Sequence, residues 1–225
     1  MIAGSATLDA LRVTLQVASV ATLLSAPVGI AIGYLLARKD FAGKSVVETV
    51  VALPLVLPPT AIGYLLLRLF ARQGWLGAET LGFDPDVLLT WRGAVLAAAT
   101  MSLPLVARTA RVAFEGVPAR LETMGESLGL SHVTVFARIT LPLARCGLIA
   151  ALLLGFCRAL GEFGATIVVA GNIAGRTQTL ALAIFDDMQL GRDDHALQLI
   201  GISVVIAFAC IFTVERLQSR ARGAA

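Results

Sequence analysis

Five apolar runs, near residues 10–37, 46–70, 91–114, 145–170 and 197–216, limit the possible folds of this chain more than any other feature. Each approaches or exceeds the roughly 20 residues a helix needs to cross a hydrocarbon core of about 30 Å. Composition agrees, since 57% of the 225 residues are hydrophobic, 15% are charged, and mean hydropathy is +0.84. An ordinary soluble domain is excluded. The expected fold is all-α and polytopic, with about five transmembrane helices and residues 1–225 forming a single transmembrane domain. The opening MIAGSATLDALR lacks the basic start of a signal peptide, and the first apolar run is too long for one, so it is expected to persist as a helix.

An odd number of crossings puts the chain ends on opposite sides. With the N-terminus outside, the inner segments hold Arg38, Lys39, Lys44, Arg108, Arg111, Arg120, Arg138, Arg145, Arg216, Arg220 and Arg222. The outer flanks then hold only Arg12, Arg72, Arg92, Arg176 and Arg192, together with the acids Glu79, Asp84, Asp86, Asp186, Asp187, Asp193 and Asp194. Positive charge accumulates on the cytoplasmic side of membrane proteins, so this asymmetry favours N-out, C-in and makes the loop at 115–144 cytoplasmic. Trp75 and Trp91 fall at predicted membrane edges, where interfacial anchors belong.

Several other function classes lack support. The net charge of +3 is spread over loops, with no basic stripe and no interleaved aromatics, so no nucleic acid is expected. Cys146, Cys157 and Cys210 share no metal-ligand spacing and read as small hydrophobes, while His132 and His195 stand in loops on opposite sides. Gly43-Lys44-Ser45 looks like the end of a phosphate-binding loop, but Arg38 stands where such a loop needs glycine. There is no nucleophile elbow, HExxH or paired-carboxylate arrangement, so an enzyme is not expected.

The second span contains Leu53-Pro54-Leu55-Val56-Leu57-Pro58-Pro59-Thr60. Each proline removes a donor and crowds the preceding turn, predicting a kink or local unwinding. Backbone freed at membrane depth must meet protein or an aqueous cavity. This span is therefore expected to pack in the interior, beside a path, although a static kink reads equally well; Pro104 poses the same question less strongly. In the fourth span Arg158 and Glu162 stand one turn apart, at a spacing that lets them neutralise each other. Counted at about 1.5 Å per residue from the inner end, Glu162 lies in the outer half. Ionised groups in a membrane segment are functional candidates by default, so the pair reads either as a polar gate or as a self-satisfied structural ion pair. Gly161 and Gly164 would allow close helix approach there.

Between spans three and four lies the polar, glycine-punctuated segment TMGESLGLSHVTVFARITLP, Thr123 to Pro142. Pro118 suits the first turn of a helix on which Leu121, Met124 and Leu128 share one face and Glu122 and Glu126 another. Gly129 is placed to end it in a left-handed cap, and Ser131 to start a second short helix carrying Val133 and Phe136. Two short helices joined at a glycine make either a knob for a soluble partner or an amphipathic element lying on the membrane. Composition leaves both open.

Gly129 stands ten residues before Ile139, and Ile139-Thr140-Leu141-Pro142 closes the segment. This resembles the cytoplasmic loop motif of ABC importer permeases, an E-A-A-x-x-x-G run followed by nine residues and I-x-L-P. Thr123-Met124-Gly125 departs from Glu-Ala-Ala, with acids at the neighbouring Glu122 and Glu126 instead, and Gly125 is expected to weaken the first helix by up to about 1 kcal/mol relative to alanine. LPLVLPP at 53–59, TWRGAVLAAA at 90–99, and LGEFGAT at 160–166 followed by Asn172-Ile173 and Gly175 extend the likeness over nearly the whole chain. Together they resemble the molybdate ABC transporter permease family.

The resemblance implies the fold of type I ABC importer permeases and a multi-pass subunit of the bacterial inner membrane that imports an oxyanion, molybdate first, with sulfate, thiosulfate or tungstate as alternatives. It implies a homodimer, a cytoplasmic ATPase dimer, an extracytoplasmic oxyanion-binding protein and membrane lipid as partners. It also implies that this chain binds no cofactor, ATP being used by the partner ATPase. Coupling then falls to Glu122, Thr123, Met124, Gly125, Glu126, Ser127, Leu128, Gly129, Leu130, Ile139 and Pro142. The path or gate falls to Pro58, Pro59, Ser102, Arg158, Glu162 and Thr166. A stand-alone secondary transporter or channel would need ion sites or internal repeats, and no convincing repeat is present.

Overall fold

The first apolar run folds as one helix, α1 (Ile2–Arg38), with Arg38 in its last turn, where a cation complements the helix dipole. The computed structural model describes residues 2–223, with side chains over 6–216, so the side chains of Arg220 and Arg222 lie outside the described residues. The described chain is helical throughout its ordered elements and contains no strand. Among the described residues four helices are long and apolar enough to cross a membrane, or five spans if one bent pair is counted as a span.

That bent pair is the second apolar run, α2 (Lys44–Val56) and α3 (Pro59–Phe70), whose axes differ by 109°. A residue before proline is driven out of the α region, and the run has two such positions in succession. Leu57 precedes Pro58 and sits at φ −69°, ψ 144°; Pro58 precedes Pro59 and sits at φ −54°, ψ 133°. Pro59 then opens α3, where its missing N–H is harmless. The break is thus larger than a kink, and the expectation that this run packs in the interior is corrected for α2. None of the α2 residues is buried within the protomer, and Val46, Val50, Leu53, Leu55 and Val56 are exposed. Only α3 reaches inward.

After α4 (Ala78–Leu81), a single turn, comes α5 (Trp91–Glu115), which is the buried axis of the fold. Its alanine-rich faces pack on α1, and a Cβ added at Gly33 would lie 2.8 Å from both the Ala107 carbonyl oxygen and the Arg111 nitrogen. Small residues at such crossings let backbones approach in membranes, where dispersion rather than water expulsion drives association. Pro104 stays inside α5 without breaking it.

The fourth run is corrected too. Instead of one helix over 145–170, α8 (Leu141–Leu160) ends at Gly161, and a separate short helix, α9 (Gly164–Ala170), follows. Between α5 and α8 lie α6 (Ala119–Ser127) and α7 (His132–Val135). The chain closes with α10 (Leu180–Gln189) and α11 (Asp193–Gly223), which begins four residues before the expected 197 with Asp193 and Asp194 in its first turn.

Two side-chain contacts orient the bundle. Thr7 Oγ1 lies 3.0 Å from His195 Nε2, so α1 and α11 start at the same end, and Arg38 binds Glu122, so α1 finishes at the 115–144 loop. The outer surface is apolar, with Val204, Val205, Phe208, Ile211 and Phe212 of α11 exposed, as suits lipid or another membrane helix.

Candidate functional site

The polar loop is built as a rigid knob. Pro118 stands at the N-cap of α6, one residue ahead of the expected first turn. Gly129 ends the helix at φ +84°, its N–H donating to the Glu126 carbonyl (2.9 Å) while the Leu130 N–H donates to the Gly125 carbonyl (3.1 Å). This is a Schellman termination, and the left-handed residue at its centre favours glycine. No atom lies within 4 Å of a Cβ built at Gly129, so the demand there is conformational rather than steric. Ser131 caps α7 by accepting the Thr134 N–H at 3.3 Å.

The second short helix starts at Ser131 as expected, but it is not separate from the fourth span. Residues 132–160 run as one helix, in which a π-helical turn, Phe136–Thr140, joins α7 to α8. Pro142 has no N–H for the carbonyl four residues back, and the wide turn takes up the mismatch, the Leu141 N–H donating to the Phe136 carbonyl. The end of the knob and α8 thus form one continuous helical element.

The knob has an inner and an outer side. Glu122 faces inward, with Arg38 Nη2 at 3.0 Å, Arg38 Nε at 3.2 Å and the Thr140 hydroxyl donating at 2.6 Å, all to Oε1. Arg38 Nη2 also donates to the Val117 carbonyl at 2.9 Å. Gly125 is buried, and a Cβ there would lie 2.8 Å from Ile139 Cδ1 and 3.1 Å from Val135 Cγ2. Beyond the expected weakening of α6, Gly125 therefore also lets α6 lie close to the side chains of Val135 and Ile139. Leu130 and Ile139 are half-buried beside it, whereas Pro142 is exposed. Beneath them Tyr34, Phe114 and Phe136 form an edge-to-face aromatic cluster with centroids 5.0 and 5.2 Å from Tyr34. On the outer side Leu121, Thr123, Met124, Glu126, Ser127, Leu128 and Val133 are exposed, Leu128 by 82%. Glu126 meets His132 Nδ1 at 2.7 Å on that surface. A groove of about 510 Å³ runs along Arg120, Thr123, Met124, Ser127 and Leu128.

A second cluster forms where two helix breaks meet. The α8–α9 break touches the α2–α3 break, since a Cβ at Gly164 would lie 2.8 Å from Pro59 Cβ. Gly161, expected to share that close approach, does not; the nearest atom to its added Cβ is the Cys157 oxygen at 3.9 Å. Glu162 is 3% exposed, with Arg158 Nη1 at 2.7 Å from Oε2 and the Ala165 N–H donating to Oε1 at 2.9 Å. It both neutralises Arg158 and satisfies an orphan donor of α9. Pro58 and Pro59 lie exposed on the protomer.

The two hydroxyl residues are inside the protomer. Ser102 is fully buried and donates to the Ala99 carbonyl at 3.2 Å, with Ser25 Oγ at 3.4 Å. Thr166 is 1% exposed, and its Oγ1 has no partner among the described residues. The structure thus brings Pro59, Gly164, Arg158 and Glu162 together but seats Ser102 against α1. Sequence reasoning missed Arg38, Tyr34, Phe114 and Thr140. Only Thr140 carried any signal, as the variable position of the closing motif.

With this geometry in view, the chain can be set beside known proteins. The family model described as "Binding-protein-dependent transport system inner membrane component" matches residues 29–221. The Molybdenum transport system permease protein ModB of Haemophilus influenzae is 41% identical over 215 residues, covering 95% of this chain and 94% of that protein. The Sulfate transport system permease protein CysT of Salmonella typhimurium is 34% identical over 211 residues, covering 94% and 76%. Among solved structures, an inward-facing form of the MetNI methionine ABC transporter superposes with a TM-score of 0.73 at 16% identity, covering 96% of both chains. At that identity the likeness concerns the fold alone.

Proposed function

This chain belongs to the binding-protein-dependent transport system inner membrane component family, and on that premise we propose that it forms the translocation path of an ATP-driven oxyanion importer carrying molybdate. It is a multi-pass inner membrane transport subunit rather than an enzyme. The observation that carries the proposal is the end-to-end 41% identity to a molybdenum permease in a chain whose one large polar loop is a locked knob with an exposed apolar crown.

The working assembly in this reading is a homodimer with two cytoplasmic ATPase subunits and an extracytoplasmic binding protein. The arginine and lysine count supports N-out, C-in, which faces the knob to the cytoplasm. Met124, Leu128 and Val133 then fill a groove of the ATPase, and ATP stays on that partner. Movement of the knob passes along two rigid connections, the Glu122–Arg38 pair to α1 and the unbroken helix from 132 to 160. The second delivers it to the break at Glu162, where α8 and α9 can hinge against α3. Alternating access follows as a rigid-body change biased by nucleotide. Selectivity is delegated to the binding protein, since a tight cage in the path would retain a dianion.

A sulfate, thiosulfate or tungstate importer is the second reading, favoured by the 34% identity to a sulfate permease. Uptake competition in the reconstituted transporter separates them: molybdate uptake should resist an excess of sulfate. Sulfate competing as strongly as unlabelled molybdate would refute the assignment of cargo. Purification in mild detergent tests the assembly, since an importer subunit retains an ATPase and a stand-alone channel does not.

A further inference from the structure

Three of the five arginines on the flank away from the knob converge on one cavity. Arg12 lies near the start of α1, Arg92 in the first turn of α5, and Arg176 on the turn after α9. They line a cavity of about 370 Å³ together with Asp9, Asp86 and Trp91. Along α1 and α5 this place is roughly 35–40 Å from the knob at 1.5 Å per residue. Arg92 pairs loosely with Asp86, at 3.7 Å, whereas the side chains of Arg12 and Arg176 make no ion pair or hydrogen bond among the described residues. A further group there also attracts anions. The long helix α5 starts at this cavity without a side-chain cap, because the Thr90 hydroxyl is turned to the Asp86 and Val87 carbonyls. Its first N–H groups and its dipole favour a negative ligand.

We propose that this cavity is a low-affinity receiving site for a tetrahedral oxyanion dianion, held by Arg12, Arg92 and Arg176 at the end of the bundle opposite the knob. The proposal rests on the importer reading above and adds to it the place where the cargo first touches this subunit. Three guanidiniums oppose two carboxylates, so attraction is net but modest. A cargo that must move on requires that balance. The carboxylate of Asp86 stays near Arg92 without locking it, and Asp9 limits dwell by repulsion.

The full-length protein carries its own reporter, since its two tryptophans are Trp75 and Trp91 and only Trp91 lines the cavity. In a Trp75→Phe background, purified in nanodiscs, Trp91 emission is titrated with sodium molybdate and sodium sulfate at ionic strength held constant with chloride. A weak, saturable change is expected with both dianions and not with chloride. Arg12→Gln and Arg176→Gln should each raise the half-saturating concentration about fivefold, the worth of one charge contact near water, while Arg176→Lys keeps most of the response. Uptake by the same variants in the reconstituted transporter is measured in parallel. A flat titration with intact molybdate uptake overturns this inference and leaves the importer reading standing. A flat titration with uptake lost in the arginine variants also overturns it, assigning these arginines to acidic side chains of the docking protein. A response that chloride reproduces overturns it as well. If dianions do titrate Trp91 but the transporter takes up no oxyanion, the importer reading fails and the site remains.

Discussion

Removing the Glu122 carboxylate should loosen the knob from the membrane helices without unfolding them. In the native protein Arg38 and Glu122 have side chains only 15% and 17% exposed, with a charged contact at 3.0 Å. Breaking one half of a buried pair typically costs about 3–5 kcal/mol, because the remaining charge is stranded. Here Arg38 keeps the Val117 carbonyl, and both groups retain some water, so about 2–3 kcal/mol is the expected loss for Glu122→Ala. That corresponds to a roughly 30- to 150-fold rise in local opening. Amide hydrogen exchange across 119–130 in nanodiscs reads it directly, with 94–110 of α5 as the internal control. In the reconstituted transporter the same variant should hydrolyse ATP while transporting poorly. Arg38→Ala should behave alike, and the double variant should be less than additive. Unchanged exchange in Glu122→Ala, or strict additivity, would refute the claim that this pair anchors the knob.

Gly129→Val forces a β-branched residue to φ +84°, with strain of about 1–2 kcal/mol; hydrolysis should uncouple from uptake, and normal transport would count against the cap. Gly125→Ala improves helix propensity yet should reduce knob protection in the same exchange assay, with Ile139→Val added to restore it, since the clash is with Ile139 Cδ1. Arg158→Gln should harm thermal stability or uptake less when Glu162→Gln accompanies it than alone, because the single change leaves a carboxylate 2% exposed and unpaired; equal losses would mean the two do not act as a pair. Leu128→Asp places a charge on the exposed crown, so ATPase retention in mild detergent should fall while the isolated permease keeps its melting temperature.

Much of the architecture is legible in residue order because it depends on local rules. The lengths of the apolar runs set helices of spanning length, and consecutive prolines at 58 and 59 forbid continuous helix through that point. Gly129 announces a left-handed cap, and Arg158 with Glu162 announces an ion pair, since both depend on neighbours within one turn. What the residue order hides is whatever depends on distant partners. Glu122 reads as a surface acid until the tertiary fold brings Arg38, 84 positions away, against it. Gly125 reads as a weak helix residue until Val135 and Ile139 come to occupy the space a side chain would fill. The break after Leu160, the inward turn of Ser102, and the gathering of Arg12, Arg92 and Arg176 at one cavity belong to the same class. Each arises from packing between helices far apart in the chain, and such contacts leave no period or spacing in the sequence to read.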